Sequence, residues 1–108
     1  DNTLWAMGDN SVQQLGDGTN QSRATPVQVA TDVSAVAAGY SHALYVKTDG
    51  TVRGMGSRSS GALGTNAVGS QITVPVTNAR AIAAGYYFSA VLTQDGALWT
   101  MGYNEDGQ

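Results

Sequence analysis

The chain of 108 residues contains no cysteine. That excludes a disulfide scaffold, a cysteine-ligated zinc site and a thiol nucleophile. Charge is scarce as well: Asp, Glu, Lys and Arg make up only 12 % of the residues. The basic ones (Arg23, Lys47, Arg53, Arg58 and Arg80) are scattered rather than clustered. A nucleic-acid partner needs a concentrated basic surface to displace counterions from phosphates. With a net charge of −3, no such partner is expected. No apolar run approaches membrane-spanning length, and no basic-then-apolar leader opens the chain, so no membrane span is expected. Nor does any window carry the i, i+3, i+4, i+7 spacing of an amphipathic helix.

What remains is rich in Gly (14 residues), small polar and β-branched residues, and it reads as all-β. It also repeats itself. "AVAAGYSHALYVKTDGTVRGMG" (35–56) returns 46 residues later as "AIAAGYYFSAVLTQDGALWTMG" (81–102), with nine of 22 letters identical. The closing hairpin segment occurs three times: "DNTLWAMG" (1–8), "DGTVRGMG" (49–56) and "DGALWTMG" (95–102). Two full periods, about 1–48 and 49–94, are followed by a partial one, 95–108. All of 1–108 is expected to be part of one domain.

Each period predicts the same local structure. "SAVAA" (34–38) is a short small-residue strand ending at Gly39. "HALYVK" (42–47) alternates, with His42, Leu44 and Val46 on one face and Ala43, Tyr45 and Lys47 on the other. Asp49-Gly50, repeated as Asp95-Gly96, predicts a two-residue type I′ hairpin turn, and Asp1-Asn2 is a usable variant. "TVRGMG" (51–56) returns as the partner strand. A longer polar loop then leads to a fourth short strand near Pro26 or Pro75, at a sheet edge where proline's missing donor does no harm. Four short antiparallel strands per period of about 46 residues describe a propeller blade. A single such sheet cannot cover both of its apolar faces, so each blade must serve as the wall of its neighbour's core.

"VAAGYSHALYVKTDGTV" with the following "MG", variable loop and "LGDGT" resembles the repeat of the regulator of chromosome condensation family. Its framework here is Gly8, Gly39, Asp49, Gly50, Gly56, Gly85, Asp95, Gly96 and Gly102. The resemblance implies a seven-bladed β-propeller, of which this chain supplies an excerpt. The rest would come from further blades of the same chain or from copies of it. Departures are consistent: Met7, Met55 and Met101 replace a usual Trp, Arg53 stands where Trp5 and Trp99 lie in the other periods, and Phe88 replaces the His kept at His42.

Alternating strand direction places the AAG-Y turns and the G-x-N loops on one rim and the DG turns on the other. The first rim would carry Tyr40, Tyr86, Tyr87 and Tyr103, with Arg58 and Asn104 beside them. Tyr and Arg bury large area while keeping a polar handle, which suits contact with a protein. These six are the expected partner-binding residues. The bland reading makes the tyrosines covers for the blade tops. Catalysis is not expected. His42, beside Ser41 and seven residues before Asp49, reads as a structural hydrogen-bonding histidine. Asp9, Asp17, Glu105 and Asp106 read as turn-holding carboxylates. No loop has a calcium or phosphate pattern, so no metal or cofactor is expected.

The leading functional expectation is therefore a non-catalytic protein-binding module. Acidic balance, low Lys and abundant Thr, Asn, Ser and Gln suit an exported, extracellular or cell-surface bacterial protein. Within the resemblance, guanine-nucleotide exchange on a small GTPase with chromatin attachment is the alternative. A structural repeat of a surface or appendage protein is a third.

Overall fold

A computed structural model describes residues 1–57, 61–64, 71–105 and 107. Nine strands follow in chain order: β1 (Leu4–Gly8), β2 (Arg23–Ala30), β3 (Val33–Ala38), β4 (His42–Lys47), β5 (Val52–Gly56), β6 (Ile72–Thr73), β7 (Ala79–Ala84), β8 (Phe88–Thr93) and β9 (Leu98–Gly102). They form three antiparallel sheets ordered β1-β2, β3-β4-β5-β6 and β7-β8-β9. The middle sheet is a complete four-stranded blade, so a period opened at Asp49 divides it between two sequence repeats. The two descriptions differ only in phase.

Repetition holds at the level of register. His42 opposes Gly56 and Leu44 opposes Gly54, just as Phe88 opposes Gly102 and Ala90 opposes Thr100. The same bulge interrupts both inner ladders, between Val33 and Ala35 and between Ala79 and Ala81.

The core sits between sheets, not within one. Leu44, Val46 and Val52 turn to one side of the middle sheet and are buried with Ala79 and Val91 of the third. Val33, Tyr45 and Met55 turn to the other side and pack against Leu4 and Ala30 of the first. Complete burial of Leu44, Val52 and Val91 stabilises the seam by about 1.5–3 kcal/mol per side chain. Neither seam could form from an isolated blade.

The inner strands meet closely, with β7 packed on both β3 and β4. A Cβ at Gly39 would strike the Gly85 carbonyl oxygen and the His42 ring, so only glycine allows this approach.

The turns correct one expectation. Asp49 and Asp95 do not take the positive φ of a type I′ turn, whereas Gly50 and Gly96 do, at +86°. Gly50 N–H donates to Lys47 O at 2.9 Å, and Lys47 N–H donates to Thr51 O at 2.8 Å. This is a three-residue loop, a type I turn followed by a left-handed residue. Asp49 stays out of the left-handed region and its carboxylate accepts the Thr51 N–H at 2.9 Å, which closes the turn from outside. In the first copy Asn2 takes the left-handed place at +58°, a conformation asparagine tolerates.

These left-handed residues also link the blades. Asn2 O accepts Val33 N–H at 2.9 Å, and Gly50 O accepts Ala79 N–H at 3.1 Å. Each turn thus holds the first residue of the next inner strand.

The fourth strand varies most. β2 is eight residues long and carries Pro26 at the sheet edge, while β6 has only two and ends before Pro75.

Candidate functional site

The β3–β4 turn (Gly39, Tyr40, Ser41), the β7–β8 turn (Gly85, Tyr86, Tyr87) and the segments after β1, β5 and β9 all lie on one rim. The DG turns lie on the other. Antiparallel order alone dictates this.

On the first rim the tyrosines form one network. Tyr40 and Tyr86, equivalent residues of adjacent blades, stack with centroids 4.2 Å apart and planes 20° from parallel. Tyr87 meets Tyr86 edge-on at 4.5 Å and Tyr40 at 6.2 Å. Tyr103, from the segment after β9, lies 6.1 Å from Tyr87 and donates its hydroxyl hydrogen to Glu105. Each such aromatic pair is worth about 0.5–1.5 kcal/mol beyond area burial. Even so, Tyr40 is 64 % exposed and Tyr86 is 56 % exposed. Contact with the Tyr40 hydroxyl, some loss of hydration and the neighbouring phenol groups together push the Tyr86 hydroxyl up to about 12. It therefore remains a hydrogen-bond donor at all physiological pH values.

Of the other expected contact residues, Arg58 lies outside the described residues. Asn104 is exposed and stands where the first period has Asn10. Asn10 itself is completely buried. Its Nδ2 donates to Asp17 Oδ1 at 3.0 Å, Thr19 O at 2.8 Å and Gln21 O at 3.1 Å, and its Oδ1 accepts the Leu15 N–H at 3.0 Å. A single amide side chain thus holds the whole loop after β1.

The carboxylates hold turns. Asp9 accepts the Ser11 N–H at 3.1 Å, and that bond first among several keeps its carboxyl below the usual range. Asp17 is held well below it, mainly by the Thr19 N–H and hydroxyl, with Arg23 Nε also donating at 2.9 Å.

His42 faces the next blade. Its Nε2 lies 3.0 Å from Ser89 Oγ, and Ser89 donates its only hydroxyl hydrogen to Ala62 O at 2.6 Å. His42 Nε2 must therefore be the donor to Ser89, the reverse of the polarity that activates a serine nucleophile. Burial pushes the His42 pKa down, and Ser89 is fully buried. Among the described residues, no three His, Asp or Glu groups converge as metal ligands would.

Two seam residues escape a reading by repeats. Ser89 is legible only as a polar residue at an inward-facing strand position. Gln71 accepts the Tyr45 hydroxyl at 2.7 Å, and its Nε2 donates to Gly16 O at 2.7 Å and Val29 O at 3.0 Å. The sole sequence signal for it is Tyr45, a buried phenol that must find an acceptor.

The Regulator of chromosome condensation (RCC1) repeat matches residues 33–62 and 79–108 in one form and residues 1–46 in another. Human WBSCR16 superposes with a TM-score of 0.84 at 23 % identity, over 95 % of this chain and 29 % of that one. Yeast RCC1 (Prp20), solved bound to Kap60, gives 0.84 at 20 % identity, over 96 % of this chain and 26 % of that one. A second structure of Prp20p from Saccharomyces cerevisiae, studied for binding to Gsp1p and histones, gives 0.82 at 21 % identity, over 96 % and 27 %. This chain thus spans under a third of each of these structures. At such identities the likeness shows the fold, a β-propeller, and the middle sheet is one of its blades.

Proposed function

We propose that this chain, which belongs to the regulator of chromosome condensation (RCC1) repeat family, binds a partner protein through its tyrosine-lined rim. Propellers of this family are generally binding or regulatory modules. One observation carries the reading: tyrosines from separate turns and two adjacent blades converge into a single network that keeps more than half of Tyr40 and Tyr86 open to solvent. Rings that served only to cover the blade tops would be spending that surface on the protein itself. Instead a rigid aromatic surface is held ready, with little side-chain entropy left to lose on binding. No catalytic acid or base is required.

The test replaces Tyr40 and Tyr86 together by alanine. The partner isolated from the source organism should bind the double variant at least about 30-fold more weakly, the loss expected of a hot spot. Three ring contacts go with the two side chains, each worth about 0.5–1.5 kcal/mol, so binding is measured well below the melting temperature, with an unchanged circular dichroism spectrum as the check on the fold. Unchanged affinity would refute the assignment. An exported bacterial setting, drawn from composition, is checked by fractionating the source cells. Guanine-nucleotide exchange is a second reading, favoured by the structural likeness to Prp20. Release of bound nucleotide from a purified small GTPase decides it.

A further inference from the structure

The contact between Tyr40 and Tyr86 is made by two equivalent turns of the middle and third sheets. Gly39 N–H donates to His42 O at 2.8 Å, and Gly85 N–H donates to Phe88 O at 2.9 Å. Each tyrosine therefore opens a two-residue hairpin turn. The two turns lie so close that the Gly85 carbonyl oxygen leaves no room for a Cβ at Gly39. Tyr40 and Tyr86 are thereby held face to face, with centroids 4.2 Å apart and planes 20° from parallel. The other tyrosine pairs among the described residues meet at 60°, 71° and 88°. The chain contains no cysteine that would take a covalent link or intercept a tyrosine radical.

Stacked phenols are set for one particular reaction. Removing an electron and the hydroxyl proton from tyrosine leaves an unpaired electron shared between the oxygen and the ring carbons ortho to it. Face-to-face rings bring those carbons together before any bond forms. Only the two turns are needed for this, with no open ring face. We infer that Tyr40 and Tyr86 are a site of oxidative cross-linking, where a haem peroxidase consuming hydrogen peroxide joins adjacent blades through a dityrosine bond. Each ring gives up one electron and one proton, and a carbon–carbon bond forms between a Cε of one ring and a Cε of the other. The hydrogen on each of those carbons then moves to the phenoxyl oxygen, which restores both rings. One hydrogen peroxide accepts the two electrons and two protons and leaves as two waters. The bond closes a loop between residues 46 apart in the chain, removing freedom from the unfolded state much as a disulfide does.

The full chain at low micromolar concentration is treated with a haem peroxidase and limiting hydrogen peroxide. The expected product is a fluorescent dityrosine monomer, lighter by two hydrogen atoms. Trypsin should leave its peptides 24–47 and 81–108 joined, and fragmentation should place the bond at Tyr40 and Tyr86. This product should exceed linked dimers by about tenfold or more, because the facing ring acts as a partner at roughly millimolar or higher effective concentration. Tyr40→Phe and Tyr86→Phe keep the ring stack, with an unchanged circular dichroism spectrum, and each should abolish the product. Tyr87→Phe and Tyr103→Phe should leave it intact. The linked chain should melt higher by about 10 °C or more. Dimers in place of the internal link, or a bond through Tyr45, Tyr87 or Tyr103, would overturn the inference. So would the same product from Tyr40→Phe or Tyr86→Phe, its loss from Tyr87→Phe or Tyr103→Phe, or a linked chain that melts no higher.

Discussion

Replacing Gln71 by glutamate changes one atom of the seam between the first two blades, and its cost can be worked out from three bonds. The amide accepts from Tyr45 and donates to the carbonyls of Gly16 and Val29. An ionised glutamate keeps the first bond but points a bare oxygen at two carbonyl oxygens that sat 2.7 and 3.0 Å from the amide nitrogen. Losing two bonds and leaving acceptors unmatched costs about 2–4 kcal/mol, equivalent to lowering the melting temperature by about 10 °C or more in a chain of this size. Protonation restores one donor. The folded-state pKa of the introduced carboxyl should therefore rise above the ordinary glutamate value of about 4.3. Relative to the wild type, Gln71→Glu should be least stable at neutral pH, recover as pH falls through that raised pKa, and stop recovering below about 4.3. The recovery should amount to about 1.4 kcal/mol for each pH unit separating the folded and unfolded pKa values. Urea unfolding followed by circular dichroism between pH 4 and 8 measures this. Gln71→Leu, which cannot titrate, should show a deficit independent of pH. A glutamate variant as stable as wild type at pH 7, or one tracking leucine at every pH, would refute the reasoning.

Two further changes probe other parts of the framework. Burial lowers the His42 pKa below 6.5, so the unfolded chain takes up the proton first. Wild-type stability should hold above pH 6.5, fall as pH drops from there toward the lowered folded value, and lose this slope in His42→Phe, which borrows the residue found at Phe88; unfolding midpoints across pH 5–8 decide it. Asn10→Ala removes a fully buried hub of the loop after β1 and should cost about 2–4 kcal/mol, with amide hydrogen exchange at Leu15 and Thr19 quickening more than in the middle blade.

The parts of the fold written in period were legible. The AAG and MG segments located five strands, alternation in 42–47 assigned His42 and Tyr45 to opposite faces, and strand direction gathered Tyr40, Tyr86, Tyr87 and Tyr103 on one rim. What escaped lies where copies differ. β2 and β6 occupy the same place in their blades but differ in length, because an edge strand answers to its loop as much as to its sheet. The turn type is not legible, because Asp-Gly serves both a type I′ turn and a type I turn with a left-handed glycine, and only the φ of the aspartate distinguishes them. Gln71, Ser89 and Asn10 are single polar groups whose roles depend on partners as far as 55 residues away in the chain. No periodicity encodes such pairings.

The middle sheet has no outside: one broad surface faces the sheet before it and the other faces the sheet after. Freedom to change without injuring the architecture is thereby confined to where strands reverse. Novel chemistry in such a molecule would enter by way of its bends, a few residues at a time. Each bend could be rewritten separately because the paired strands beneath it already have their places.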